Sequence, residues 1–311
     1  MCLILRDIQS EGQSYIFSFF LLLLSEDTHV RQSKTCFALF SLNRIFVPMI
    51  SINQKKLLRQ LRMKKYRDSE GLFVAEGAKI ISDMLAKGVD IKFLVATESG
   101  AKQLRTFGVA MDIVGADEKE MVEFSQFTTP SSAIAVFRKP ETSMQSLASL
   151  LSSLLGEQGC LILALDDIQD PGNMGTIIRI ADWYGVHDIA ISTTCADPFG
   201  AKAVQASMGA VARARLTCCS LLDLLKGLPN GMPIYGTLLE GENIYSSKLQ
   251  SSGVVLMGNE GHGLSDDLCD MLTHRLMIPP FDSGDGMGVT SESLNVAAAT
   301  AVVLNEFRRP R

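Results

Sequence analysis

The sequence predicts an α/β protein: a parallel sheet covered by helices, preceded by a smaller α/β domain. Three observations carry this. Residues 160–165 (CLILAL) and 253–257 (GVVLM) are apolar runs without alternation, the pattern of strands buried on both faces of a parallel sheet. From 160 onward such strands alternate with helical stretches of ~10–15 residues, which implies βαβ crossovers. A shorter alternation over 72–137 has its own strands at 72–75, 91–96 and 133–137.

In chain order, residues 55–67 (KKLLRQLRMKKYR) hold seven Lys or Arg among thirteen positions, interleaved with Leu57, Leu58, Leu61 and Met63. That spacing predicts one amphipathic helix with a basic face. A helix is expected at 78–87. Residues 139–158, with Pro140 and many Ser and Leu, read as a linker carrying a short helix. Beyond it, strands are expected at 160–165, 188–192, 213–216, 234–237, 253–257 and 275–278. Helices are expected at 175–184, 200–208, 220–227, 265–272 and 293–308. The organisation is therefore 49–138, a linker at 139–158, and 159–311.

Residues 1–48 stand apart. Their longest apolar run, 16–24, is too short for a membrane span, which needs ~17–25 apolar residues. It lacks a basic stretch before it and a small-residue cleavage site after it. Everything recognisable follows Met49, so 1–48 read as an upstream extension, with Met49 as the expected start.

Composition narrows the class. The chain has 311 residues, 47% of them hydrophobic and 20% charged, which excludes wholesale disorder, collagen and coiled coil. Seven cysteines without a C-x-x-C argue against a disulfide framework or a zinc ribbon, and fit a reducing cytoplasm. The net charge is −5, so any contact with nucleic acid must use a local basic patch. Lys55, Lys56, Arg59, Arg62, Lys64 and Lys65 are the candidate residues.

Open parallel sheets bind ligands beyond the carboxyl ends of their strands, and three loops there carry chemistry. The first is Asp166-Asp167-Ile168-Gln169-Asp170-Pro171-Gly172-Asn173-Met174-Gly175, with Arg179 further along the following helix; Pro and Gly are expected to fix a tight turn there and Asn173 to cap the helix. The second is Gly258-Asn259-Glu260-Gly261-His262-Gly263-Leu264. Its three glycines in six positions allow close backbone approach to a ligand, but the dinucleotide fingerprint and Walker A are both missing. The third runs from Ile278-Pro279 to Ser293-Leu294-Asn295-Val296, with Ser293 the expected cap of the last helix. The aspartates of the first loop have no His or Cys partners in ligand spacing, so no metal is expected.

In order and spacing the three loops resemble motifs 1, 2 and 3 of the SpoU (TrmH-type) branch of the SPOUT RNA methyltransferases. Ser207-Met208-Gly209-Ala210 is similar to a further recurrent segment of that family. Leu72-Phe73-Val74-Ala75-Glu76-Gly77 resembles the start of its substrate-binding domain, which is like a small ribosomal protein. The resemblance implies a C-terminal trefoil knot, S-adenosylmethionine held by the knot loops, and a homodimer that completes the site. It implies methyl transfer to a ribose 2′-hydroxyl of RNA, ribosomal RNA before transfer RNA. Gly258, Ile278 and Leu294 would contact the cofactor. Arg179, with Asn173, Glu260, Ser293 and Asn295, would serve catalysis and positioning. The stretch 280–290 is longer than the family's usual link. A non-catalytic RNA-binding or ribosome-assembly factor on the same fold is the alternative.

Overall fold

The computed structural model describes residues 49–140, 146–156, 160–281 and 293–309. The upstream reading of 1–48 falls outside them, and so does most of the long link before Ser293 together with the path of the expected knot.

The basic run forms two helices where one was expected: α1 (Ile52–Gln60) and α2 (Lys64–Glu70). A capping box at Ser51 opens α1, Ser51 Oγ accepting from Gln54 N and Gln54 Oε1 accepting from Ser51 N. The break falls at Leu61–Met63 because Met63 is extended and the Arg67 guanidinium takes the freed carbonyls of Leu61 and Arg62, each at 2.8 Å. Helix ends need such partners for carbonyls that no intrahelical amide reaches.

Then come β1 (Leu72–Glu76), α3 (Ala78–Ala86), β2 (Ile91–Ala96), α4 (Glu98–Thr106), β3 (Val114–Gly115), α5 (Glu118–Phe124) and β4 (Ala133–Arg138). They make a sheet of order β1-β4-β2-β3, antiparallel except for β2 beside β3. Helix α6 (Leu147–Gly156) leads to β5 (Leu161–Leu165), α7 (Pro171–Trp183), β6 (Asp188–Ile191), α8 (Ala201–Ser207) and a 3₁₀ turn at Ala210–Ala212. After these stand β7 (Arg215–Cys218), α9 (Leu221–Lys226), β8 (Ile234–Asn243), β9 (Gly253–Met257), α10 (Asp266–Cys269), β10 (His274–Met277) and α11 (Val296–Arg308). Their strands form a sheet of order β10-β8-β9-β5-β6-β7, parallel at every pairing. Strand β7 begins later than expected because the 3₁₀ turn at 210–212 runs on through a bend at 213–214.

The central strands β5 and β9 are buried at every position, which is why their sequences do not alternate. A buried Leu or Ile in them contributes ~1.5–3 kcal/mol. The two sheets share one apolar core: Phe73 and Met84 cluster with Phe199, Val204 and Val211. Gly209 (φ +81°) brings its turn so close to α3 that a Cβ there would lie 2.9 Å from Met84 Cγ. On the other side α7 and α8 meet at Gly175, where a Cβ would lie 2.2 Å from the Ala203 carbonyl. The small residues of the Gly175 and 207–210 motifs are thus demanded by packing.

Candidate active site

The loops after β5 and β9 leave neighbouring strands, so the topology sets motifs 1 and 2 side by side. Asp170, not Asn173, caps α7: its Oδ1 accepts from Asn173 N at 2.9 Å, with Pro171 in the first turn. An Asp-Pro pair is itself a helix-start signal. Relieved of capping, Asn173 turns its amide outward. Likewise Asn295, not Ser293, caps α11, accepting from Ala297 N and Ala298 N. An Asn two residues nearer the helix reaches those amides, and exposed Ser293 does not cap.

These two asparagines close a triangle with Glu260. Asn173 Nδ2 donates to Glu260 Oε1. Asn295 Nδ2 donates to the same oxygen at 2.9 Å and to Asn173 Oδ1 at 3.1 Å. One residue from each motif is therefore held by the other two, across sequence separations of 87, 35 and 122 residues. The carboxylate faces two amide donors, a charge-assisted arrangement that fixes its direction.

Asp167, an aspartate of the first loop, is bonded to the second loop. It adopts φ +54°, unusual for a residue with a side chain, and the loop holds it there. Asn259 Nδ2 donates to its carbonyl at 2.8 Å and to its carboxylate at 3.1 Å. His262 Nε2 lies 3.3 Å from the same carboxylate. Hydrogen bonds from Thr194 and then Gln169 are the main reasons its carboxyl is held below the usual aspartate value. Asp170 is held low as well, chiefly by Lys202, whose Nζ is 2.7 Å away, and then by the Asn173 amide.

Arg179 lies in the middle of α7, exposed. Of the expected cofactor residues, Gly258 follows β9 and sits where a Cβ would be 2.4 Å from the Gly263 carbonyl carbon; only glycine fits. Ile278 follows β10 and packs half-buried against the core. Leu294 is 52% exposed beside Asn295.

The basic residues divide. Lys55 pairs with Glu120 at 2.6 Å, and Arg59 pairs with Glu123. Arg62 donates to the carbonyls of Glu123 and Ser125. Lys55 and Arg59 fasten α1 to α5, and Arg62 fastens the break after α1 to the end of α5. Lys56, Lys64 and Lys65 are exposed.

The fold and the converging motifs define an RNA methyltransferase of the SpoU class, and the chain belongs to the SpoU (TrmH-type) family. The SpoU rRNA Methylase family model matches residues 160–305, and a model of the MRM3-like substrate binding domain matches 53–135. A solved TrmH-family protein of Porphyromonas gingivalis is 36% identical, covers 84% of this chain and 99% of its own, and superposes with a TM-score of 0.69. An AdoMet-bound rRNA methyltransferase of Sinorhizobium meliloti is 30% identical, over 84% of this chain and 97% of its own, with a TM-score of 0.68. The 23S rRNA (guanosine(2553)-2′-O)-methyltransferase RlmP of Bacillus subtilis is 29% identical over 82% of this chain and 96% of its length.

Proposed function

We propose that this protein transfers a methyl group from S-adenosylmethionine to a ribose 2′-hydroxyl of ribosomal RNA. The observation that carries the reading is the Asn173–Glu260–Asn295 triangle, which joins one residue of each motif, two of them just beyond the adjacent strands β5 and β9.

The residues present suit the cofactor. Gly258 offers backbone without a side chain, while Ile278 and Leu294 offer partly exposed aliphatic surface. Glycine backbone and aliphatic side chains suit a neutral adenosyl group. When bound, S-adenosylmethionine supplies an activated methyl on a sulfonium.

Methyl transfer from that sulfonium to the ribose oxygen would release the hydroxyl proton, and the residues beside that oxygen would have to bear the charge that develops on it. Arg179 is assigned an electrostatic role at this oxygen. An arginine pKa of ~12.5–13.8 makes a neutral guanidinium cost ~8 kcal/mol near pH 7, at ~1.36 kcal/mol per unit. A fixed cation beside a developing alkoxide avoids that cost. Glu260 and the two asparagines keep the motif loops in register for in-line attack, the placement that supplies much of such a rate enhancement. Ser293, exposed two residues before Asn295, is assigned to the substrate side of the same loop.

The active form is a homodimer with the family's trefoil knot, working in the cytoplasm. Trp183 on α7 is 84% exposed and Leu294 before α11 is 52% exposed, and α7 packs on α11. Together they leave apolar surface for a second copy. Trp183→Lys should shift sedimentation from dimer to monomer; an unchanged dimer would place the interface elsewhere.

The test of the activity is to map 2′-O-methyl positions in ribosomal RNA from a strain lacking the chain, with calorimetry of S-adenosylmethionine on the purified protein. One missing methyl, restored by the protein and cofactor in vitro, is the expected result. Absence of cofactor binding would favour the assembly-factor reading.

A further inference from the structure

We propose that Asp197, gripped by the buried guanidinium of Arg67, is a positioning residue for methyl transfer: it registers the RNA-holding N-terminal region against the loop that sets Asn173 and Arg179. The proposal rests on the function proposed above.

Segment 192–202, the loop after β6 together with the first two residues of α8, touches both parts. Its first half lines the motif 1 loop. Asp167 N donates to Ser192 Oγ at 3.0 Å, and Ile168 N donates to Cys195 Sγ at 3.3 Å. Ala196 N donates to the Ile168 carbonyl at 2.8 Å. At its end, Lys202 holds Asp170, the cap of α7. Any shift of this segment is thus delivered to the start of the helix that carries Asn173 and Arg179.

Its second half is fastened to the N-terminal region. Arg67 Nε and Nη2 donate to Asp197 Oδ2 at 2.9 and 2.6 Å. The same guanidinium reaches the Leu61 and Arg62 carbonyls, in the break between the two basic helices. Asp197 Oδ1 accepts from Phe199 N at 3.0 Å. Phe199 packs on Phe73 with ring centroids 5.1 Å apart, beneath the Lys139 ammonium at 4.9 Å. The side chains of the ion pair are 8% and 12% exposed.

The apolar contacts at Phe73, Phe199, Met84 and Gly209 suffice to press the two parts together. Apolar packing is non-directional. A guanidinium fork is directional, and a buried ion pair adds little net stability, its best-attested use being to select one arrangement. That is the property needed to keep a bound nucleotide in line with the reacting centre.

The experiment uses the full chain, ribosomal RNA from cells lacking it, and labelled S-adenosylmethionine. Asp197→Asn and Arg67→Lys are compared with wild type in cofactor titration, RNA binding, single-turnover rate at saturating RNA, and mapped position of the methyl. A misplacement near 1 Å costs about a hundredfold in favourable cases. The expected result is a single-turnover rate lowered at least tenfold, with both affinities within about threefold, and methyl appearing at neighbouring nucleotides. Arg67→Lys keeps the charge but not the fork, so it carries the test if Asp197→Asn does not fold. Variants that lose only thermal stability, with unchanged rate and methyl position, would overturn the positioning role alone. A wild-type protein that transfers no methyl would overturn the proposed function and this inference with it.

Discussion

Two polar clusters on this molecule invite comparison. The triangle of Asn173, Glu260 and Asn295 contains one charge and is assembled from residues up to 122 positions apart. The basic segment contains seven charges within thirteen consecutive residues. By charge density the second is the stronger sign of RNA contact, yet part of it is occupied: Lys55, Arg59 and Arg62 hold α5, and Arg67 holds Asp197. Charge in a sequence is not charge offered to a partner. Motif order points instead to residues that do meet: Asn173 and Glu260 follow the adjacent strands β5 and β9, and Asn295 bonds to both.

The sharpest way to break the comparison is Arg179→Ala. Loss of one preorganised electrostatic donor costs ~10²–10³ in rate. Single-turnover methylation should fall at least a hundredfold while S-adenosylmethionine affinity shifts by less than about tenfold, or ~1.4 kcal/mol. A near-normal rate would remove Arg179 from the site.

Asn295 has two duties that can be separated. Asn295→Ala loses the α11 cap, worth ~1 kcal/mol, and the donations to Glu260 and Asn173, so unfolding stability should drop by ~1–3 kcal/mol. Asn295→Asp keeps a capping oxygen but sets a second carboxylate against Glu260. It should hold thermal stability nearer to wild type while losing as much methyl transfer as the alanine variant. Full activity in Asn295→Asp would reduce the triangle to helix capping.

For the basic segment, replacing Lys56, Lys64 and Lys65 by alanine should flatten the salt dependence of RNA binding. The log–log slope falls by about 0.7–0.9 for every phosphate that is no longer neutralised. Lys55→Ala with Arg59→Ala should leave the slope nearly unchanged and cost ~0.2–1 kcal/mol of stability per exposed pair. The reverse pattern would show that the ion pairs to α5 open when RNA arrives.

The smallest effect concerns Glu76, buried in β1, which accepts from Ser125 Oγ and Gln126 N. Burial is the main cause of a pKa above its ordinary 4.5, opposed by those bonds and by Arg62. The folded state then binds a proton more tightly than the unfolded chain, so stability falls as pH rises through that interval. Wild type should gain stability relative to Glu76→Gln as pH drops from 7 toward 4.5, measured by denaturant unfolding. A difference that does not change with pH would mean the hydrogen bonds fully offset desolvation.

Particular residues show how far the sequence reached. The unalternating runs of β5 and β9 and the close backbone approach at Gly258 are legible, because burial on both faces and repeated glycine show in local pattern. Gly172 and Gly175 are not: the sequence suggests a tight turn, whereas both lie inside α7, and the need for glycine at 175 comes from the Ala203 carbonyl of α8. The caps were misplaced by two or three residues, at Asn173 for Asp170 and at Ser293 for Asn295, because Ser, Asn and Asp all satisfy helix amides; only backbone geometry chooses among them. The break at Leu61–Met63 was hidden for a similar reason. The apolar spacing of 55–67 fits one helix, and what ends it is a guanidinium engaged by Asp197, 130 residues away. The sequence by itself therefore determined the strand pattern, the motif order and the residue types that chemistry requires, since these depend on neighbours along the chain. Tertiary structure decided which cations are engaged by carboxylates, which asparagine faces Glu260 and what Arg67 holds. Hydrogen bonds and ion pairs act over about 3 Å in space, and no periodicity in a sequence encodes which distant residue will arrive there.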